Sequence, residues 1–323
     1  MMTLLEVTDL RVSYSTLKGE LRAVQGVSFG LQEQETLGIV GESGCGKSTL
    51  GLALLNLLPP QGRVTQGKIL LDGQDLLSLR GEELRRMRGK MVAMIFQDPM
   101  TSLNPVKKIG DHFVEAMRAH SPDVTKEEAL KRAGEMLNQL GISSDRLTDY
   151  PHQLSGGMKQ RIMIGLGVVL EPRLLIADEP TTALDVVIEA QILDLLKQLK
   201  GSLKLSMILI THNLGIVAEV ADKIGIMYGG EIFEFADVRT IFRNPLFPYT
   251  QLLLKLVPNV VSKSTSLEWI PGAPPDLSME VPGCKFAPRC PYAFERCTRE
   301  SPKLLEVEPG HLVACHLRNE ERK

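Results

Sequence analysis

Apolar and polar residues alternate along "LLEVTDLRVSY" near the start of the chain, a period of two that predicts an edge or meander strand. A second strand is predicted over "AVQGVSFGL". The run "TLGIVG" is almost wholly apolar and ends on glycine, as suits a buried parallel strand feeding a tight loop. "KSTLGLALLNLL" has helical spacing instead, ended by Pro59 and Pro60. "MVAMIFQ" reads as another buried strand, and from Asp111 to about Leu140 the periodicity is helical again. Two further buried strands, "RLLIADEP" and "LSMILITHN", flank the amphipathic stretch "VVIEAQILDLLKQLK". "KIGIMYGGEIFEFA" predicts a hairpin turning at Gly229-Gly230. The succession predicts an α/β fold. After about residue 240 prolines and cysteines accumulate and strong periodicity fades, so the main boundary is expected there, between 1–240 and 241–323. Neither an internal repeat nor a low-complexity tract interrupts the pattern.

Composition narrows the class. A chain of 323 residues suggests about two structural units at ~150 residues each. Hydrophobic residues at 43% and charged residues at 24% are ordinary for a globular chain with a real core. The net charge of -2 argues against a protein whose main work is neutralising nucleic-acid phosphates, so no nucleic-acid partner is expected. "MMTLLEVTDLRVSY" has neither a basic n-region nor an apolar h-region and does not read as a signal peptide. The apolar run "IMIGLGVVL" is far short of the roughly 20 residues that span a bilayer. A cytosolic protein with reduced thiols is expected, meeting any membrane through a partner.

The chemistry begins at "GESGCGKST": Gly41, Glu42, Ser43, Gly44, Cys45, Gly46, Lys47, Ser48 and Thr49. The pattern G-x-x-x-x-G-K-[ST] sits between a predicted strand and a predicted helix, the context a phosphate-binding loop needs. Its glycines let successive N–H groups point inward at phosphate oxygens, and the helix start adds its positive dipole end. Lys47 supplies a charge to the outer phosphates, and the Ser48 hydroxyl is placed to ligate Mg²⁺. Cys45 reads as a small spacer.

"LLIADEP" ends a buried strand on two acids. Asp178 is expected to hold Mg²⁺ and Glu179 to orient and deprotonate the attacking water. Gln97, in "FQDP", ends another predicted strand and offers an amide to Mg²⁺ or to that water. His212, in "LITHN", is a candidate γ-phosphate contact, and Tyr14 a candidate to stack on an adenine ring. "LSGGMKQR" provides a second phosphate-ready helix start at Ser155, Gly156 and Gly157. One phosphate loop already serves one triphosphate, so the simplest use of a second is to close on a nucleotide held by another subunit.

Taken in order, Tyr14, "GESGCGKST", Gln97, "LSGGMKQR", "LLIADE", "ALD" with Asp185, and His212 resemble the ATP-binding-cassette ATPases between about Leu4 and Ile241. The resemblance implies a P-loop (RecA-like) core, an antiparallel β subdomain and a helical subdomain at about 98–165, followed by an irregular cysteine-containing extension. It implies ATP held between one cassette's phosphate loop and the other's Ser155, Gly156 and Gly157, with Asp185 in the adjoining D-loop. The family usually has Gln where this chain has Met158, which lacks that hydrogen-bonding amide while leaving Ser155 and the backbone donors. "IFQDPMTSLNP", "HQLSGGMKQR", "DEPTTALDVVIEAQIL" and "NPLFPYTQLLLKLVP" resemble the bacterial oligopeptide and dipeptide importers more closely. That implies two membrane permeases docking near Gln97 and 98–160, a second related ATPase as heterodimer partner, and an extracytoplasmic binding protein. The chain would then work at the cytoplasmic face of the inner membrane. Glutathione or nickel chelates are alternative cargoes. A soluble cassette acting on ribosomes or DNA, and a regulatory cassette with a dead site, are the competing classes. Neither a second cassette nor a coiled-coil insertion is visible, and Lys47, Glu179 and His212 are all present.

Four of the five cysteines crowd the tail: Cys284, Cys290, Cys297 and Cys315. Disulfides do not suit a reducing compartment. Structural zinc commonly uses short C-x2-4-C pairs, absent here. A [4Fe–4S] cluster tolerates irregular spacing and often has proline after a ligand, as in Cys290-Pro291. Buried unliganded thiols are the plain alternative. Some peptide-importer ATPases carry an iron–sulfur site in this tail, so the expectation is a [4Fe–4S] cluster on these four thiolates. Zn²⁺ is the runner-up, with His311 or His316 replacing a cysteine if one is not a ligand.

Overall fold

The computed structural model describes residues 3–17, 19–97, 102–182, 184–256 and 270–319. Two compact units divide the chain, Met1–Leu77 with Leu209–Lys323, and the intervening Ser78–Ile208.

In the first unit, β1 (Thr3–Thr16), β2 (Gly19–Gln32), β4 (Gly62–Leu71) and β5 (Gln74–Asp75) form an antiparallel sheet in the order β2-β1-β4-β5. Of the edge or meander strand expected from its alternation, the edge is ruled out: β1 pairs antiparallel with the next strand, β2, on one side and with β4 on the other. Alternation reports one buried face, and a strand can have that face anywhere in a sheet. Leu5, Leu10 and Val12 point into the core with no measurable exposure, each contributing about 1.5–3 kcal/mol by burial. β4 escaped the pattern reading because "GRVTQGKILL" buries only Ile69 and Leu71, near its end.

β3 (Thr36–Val40) is buried at every position, as expected of a strand covered on both faces. The helix after it, Lys47–Leu54, stops short of the expected limit at Pro59-Pro60, because Leu55 already leaves the helical region. In the later segment, β9 (Lys223–Tyr228) runs parallel to β3, with Leu37 opposite Lys223. The expected hairpin is present: β10 (Glu231–Asp237) pairs antiparallel with β9 across Gly229-Gly230.

The tail is more ordered than its weak periodicity suggested. β11 (Leu305–Glu308) and β12 (His311–Val313) form a short hairpin, and β12 pairs antiparallel with β10, Glu234 opposite Val313. Phe286 is fully buried among Tyr228, Phe247 and Tyr249, with ring centroids 5.2, 5.6 and 5.3 Å away. Short strands of three or four residues leave too little pattern to read, so their pairing partner makes them.

The second unit holds β6 (Val92–Ile95) and β7 (Leu174–Asp178), which are parallel neighbours. Helices cover Gly81–Lys90, Ile109–His120, Lys126–Gln139, Gly156–Val168 and Val186–Leu203. Thr125 caps the third of these through a full capping box with Glu128. Residues 98–101, the start of the expected helical subdomain, lie outside the described residues. The division between units falls within β8 (Ser206–Thr211).

Candidate functional site

The phosphate loop is shaped by close backbone approach. A Cβ on Gly41 would lie 2.0 Å from the Met227 carbonyl oxygen, and one on Gly46 2.1 Å from that of Ala23. Gly46 also takes φ 102° as it caps the helix that starts at Lys47. Both positions therefore demand glycine. With no side chain at the cap, no side-chain oxygen satisfies the helix start, and an anion can take that place. Lys47 is buried, its Nζ donating to the carbonyl oxygens of Gly41 at 2.7 Å and Glu42 at 2.9 Å. The Cys45 thiol is buried beside it, and that burial pushes its pKa up. The Tyr14 hydroxyl donates to Thr49 Oγ1 at 3.2 Å, which ties the antiparallel sheet to the first turn of the helix. His212 follows β8 as an exposed residue, just before Asn213, whose side chain caps the helix Leu214–Val220. These residues all belong to the first unit.

Glu42 is the loop's best-anchored residue. Its N–H donates to the Tyr249 hydroxyl at 2.9 Å, its carbonyl accepts from Lys47, and its carboxylate accepts two bonds from Arg289, at 2.7 and 2.9 Å. Neither Tyr249 nor Arg289 stood out in the sequence. The Arg289 contact bridges 247 positions, and no local spacing carries such a signal.

In the second unit, the register of β6 against β7 aligns Ile95 with Ala177. Two residues further on, the same alignment brings Gln97 and Glu179 together: Gln97 Nε2 donates to Glu179 Oε2 at 3.1 Å. The Thr182 hydroxyl donates to the same oxygen at 2.8 Å. Glu179 has φ 46°, a left-handed backbone that a non-glycine residue adopts at a cost of about 1–3 kcal/mol. Asp178, the last residue of β7, is buried. The buried Gln160 amide donates to Pro180 O at 2.5 Å, fixing the turn after Glu179. Sequence reasoning did not single out Gln160 or Thr182.

Ser155 caps the helix Gly156–Val168, its Oγ accepting from the Met158 N–H at 3.3 Å. Position 158 thus uses its main chain locally, which a methionine supplies as well as a glutamine. Asp185 caps Val186–Leu203 by accepting from the Ile188 N–H at 2.9 Å. A Cβ on Gly157 would meet the Ile188 side chain at 3.1 Å, so these two helix starts abut.

Among the described residues, no three His, Cys, Asp or Glu side chains are grouped to hold a metal ion, and the expected [4Fe–4S] cluster on Cys284, Cys290, Cys297 and Cys315 is not supported. Burial raises the pKa of Cys284, Cys290 and Cys315, that of Cys284 to about 12. Instead the Cys284 N–H donates to the Cys297 carbonyl at 2.8 Å, so the main chain knits this segment. His311 and His316 have other partners: His311 pairs with Glu234 at 2.8 Å, and His316 with the Glu300 carbonyl at 2.8 Å. The density of thiols was a compositional signal, and it marks a small buried core.

Residues 24–182 match the family described as ABC transporter, and residues 233–297 match the oligopeptide/dipeptide transporter C-terminal region. A dipeptide transport ATP-binding protein of Bacillus subtilis is 47% identical over 98% of this chain and 95% of its own length. An oligopeptide transport ATP-binding protein of Salmonella typhimurium is 45% identical over 97% and 93%. Neither name refers to an iron–sulfur cluster. Among solved structures, the dimeric ATP-binding cassette MJ0796, in a post-hydrolysis state bound to ADP and Pi, aligns with TM-score 0.65 at 25% identity, covering 73% of this chain and 99% of that one. A Clostridium perfringens cassette, part of the ABC transporter complex cbiONQ, aligns with TM-score 0.63 at 27% identity over 76% and 92%.

Proposed function

This chain belongs to the ABC transporter ATPases, in their oligopeptide/dipeptide branch, and from that premise we propose that it hydrolyses ATP to drive peptide import. The loop Gly41–Thr49 is the proposed seat of the triphosphate, with Lys47 exchanging its carbonyl partners for phosphate oxygens. Tyr14 would meet the adenine and His212 the γ-phosphate. Glu179 is the proposed general base, and the bonds it accepts from Gln97 and Thr182 support that role by fixing the carboxylate. A carboxylate held this way needs no reorientation before it takes a proton from water. Gln97 and Asp178 of the second unit offer an amide and a carboxylate, oxygen donors of the kind Mg²⁺ takes, and the Ser48 hydroxyl of the first unit is proposed as a further donor. Such an ion offsets charge on the phosphates.

Ser155, Gly156 and Gly157, with Asp185 next to them, are proposed to meet the nucleotide of a second, related ATPase. Among the described residues no helix is long and apolar enough to cross a membrane. The proposed route for cargo is a pair of permease subunits within the inner membrane, fed by an extracytoplasmic binding protein, with this chain at the cytoplasmic face. The match over 233–297 supports peptides over other cargo.

The test is affinity isolation from membranes, with ATPase assay of the recovered assembly. Recovery of two permeases and a second ATPase, with hydrolysis stimulated by a peptide-loaded binding protein, is the expected result. Recovery with ribosomes instead would sink the importer reading.

A further inference from the structure

Arg289 lies in the tail, 247 positions from the phosphate loop, yet its side chain is 4% exposed and bonded to Glu42 within that loop. A guanidinium has five N–H donors. Here every one has an acceptor. Nε donates to the Pro271 carbonyl at 2.8 Å; Nη1 to Glu42 Oε2 at 2.7 Å and the Tyr228 hydroxyl at 3.1 Å; Nη2 to Glu42 Oε1 at 2.9 Å and the Ile270 carbonyl at 3.1 Å. The group also lies over the Tyr228 ring, 5.8 Å from its centroid. A buried charge is tolerated only with this degree of satisfaction. Only the fork geometry of arginine reaches all five acceptors, and lysine offers three donors at a single point.

The bond matters to the loop because of what else holds Glu42. Lys47 holds the carbonyls of Gly41 and Glu42, and under the proposed function it must release them to reach phosphate. The Cys45 carbonyl still accepts from the Gly230 N–H at 3.0 Å, and Glu42 itself keeps the Tyr249 hydroxyl at its N–H and Arg289 at its carboxylate. Tyr249 and Arg289 are thus the side chains that fix Glu42, and both belong to the C-terminal part of the chain.

We infer that Arg289 is a positioning residue for nucleotide binding: through Glu42 it holds the phosphate loop in its binding shape, so that the C-terminal region and the nucleotide are coupled. The inference rests on the ATP-binding reading. Coupling of this kind is reciprocal, so nucleotide must also steady the tail.

Hydrogen exchange of the full chain with and without MgATP tests both directions. In the wild type, MgATP is expected to slow exchange at 41–49 and also at 284–297. In Glu42→Gln, which keeps the side chain's size but not its charge, protection at 41–49 should persist while that at 284–297 is lost. Half-saturation by MgATP should rise about tenfold in Glu42→Gln and in Arg289→Met, as for a lost charge-assisted pair. The double variant should be no worse than either single one. Arg289→Lys, which keeps the charge but not the fork, should recover part of the thermal midpoint lost in Arg289→Met but not the affinity, which separates positioning from mere tail anchorage. Protection at 41–49 without protection at 284–297 in the wild type overturns this proposal alone. So does unchanged affinity in Glu42→Gln, a readout that stands even if Arg289→Met fails to fold. No protection at 41–49 overturns the ATP-binding reading and this coupling with it.

Discussion

Glu179 concentrates the residue-scale features of the site: a left-handed backbone, a carboxylate accepting from Gln97 and Thr182, and a position directly after a buried strand. Glu179→Gln should lower hydrolysis by at least about 100-fold, the usual scale for loss of a general base, while ATP binding persists. Single-turnover hydrolysis beside equilibrium binding would check this, and a parallel loss of both would point to misfolding instead. Cys284 makes a different prediction. Burial raises its pKa from 9.0 to about 12, so the folded state keeps a proton that the unfolded chain loses above pH 9. Its stabilising contribution is full below about pH 9 and disappears as pH rises toward 12. The thermal midpoint should fall between pH 8.5 and about 10.5, and Cys284→Ala should flatten that fall. At this scale the sequence was legible where residue type and spacing carry the chemistry, as in Lys47 or Asp178-Glu179. It was silent about Arg289, Tyr249 and Gln160, whose work depends on partners far along the chain. It misled at the cysteines, because thiol density is shared by metal sites and small buried cores.

At the scale of elements, β10 joins the ATPase part of the first unit to its tail, paired with β9 on one side and β12 on the other. Glu234 on β10 is fully buried and accepts from the Leu246 and Phe247 N–H groups and pairs with His311 of β12. His311→Ala removes one partner of a buried carboxylate and should cost about 2 kcal/mol, read as a lower urea midpoint at unchanged slope. Asp185→Ala should cost about 1 kcal/mol through the lost helix cap. Strands such as β3 and β7 were readable because five consecutive buried residues leave few other interpretations. β4, β11 and β12 were not, because they are short or largely exposed and exist through the neighbour they pair with.

On the scale of the whole molecule, the first unit is discontinuous, with residues 78–208 inserted into it as the second. A chain truncated after residue 256 should leave the β10 edge open and Phe286's place among the rings vacant. Aggregation on release from chaperones, followed by light scattering, is the expected outcome. The α/β class could be read from strands alternating with helical stretches, but the tail's membership of the first unit could not, since its contacts have high sequence separation. The parallel pairing of Leu37 with Lys223 also sets an order of events during synthesis. β3 leaves the ribosome well before its partner exists, so the first unit waits half-made while 78–208, continuous in the chain, is synthesised. β12, which closes β10, emerges last. A cell therefore cannot assemble the nucleotide loop's full support before Arg289 has emerged, 247 positions after Glu42 of the loop itself.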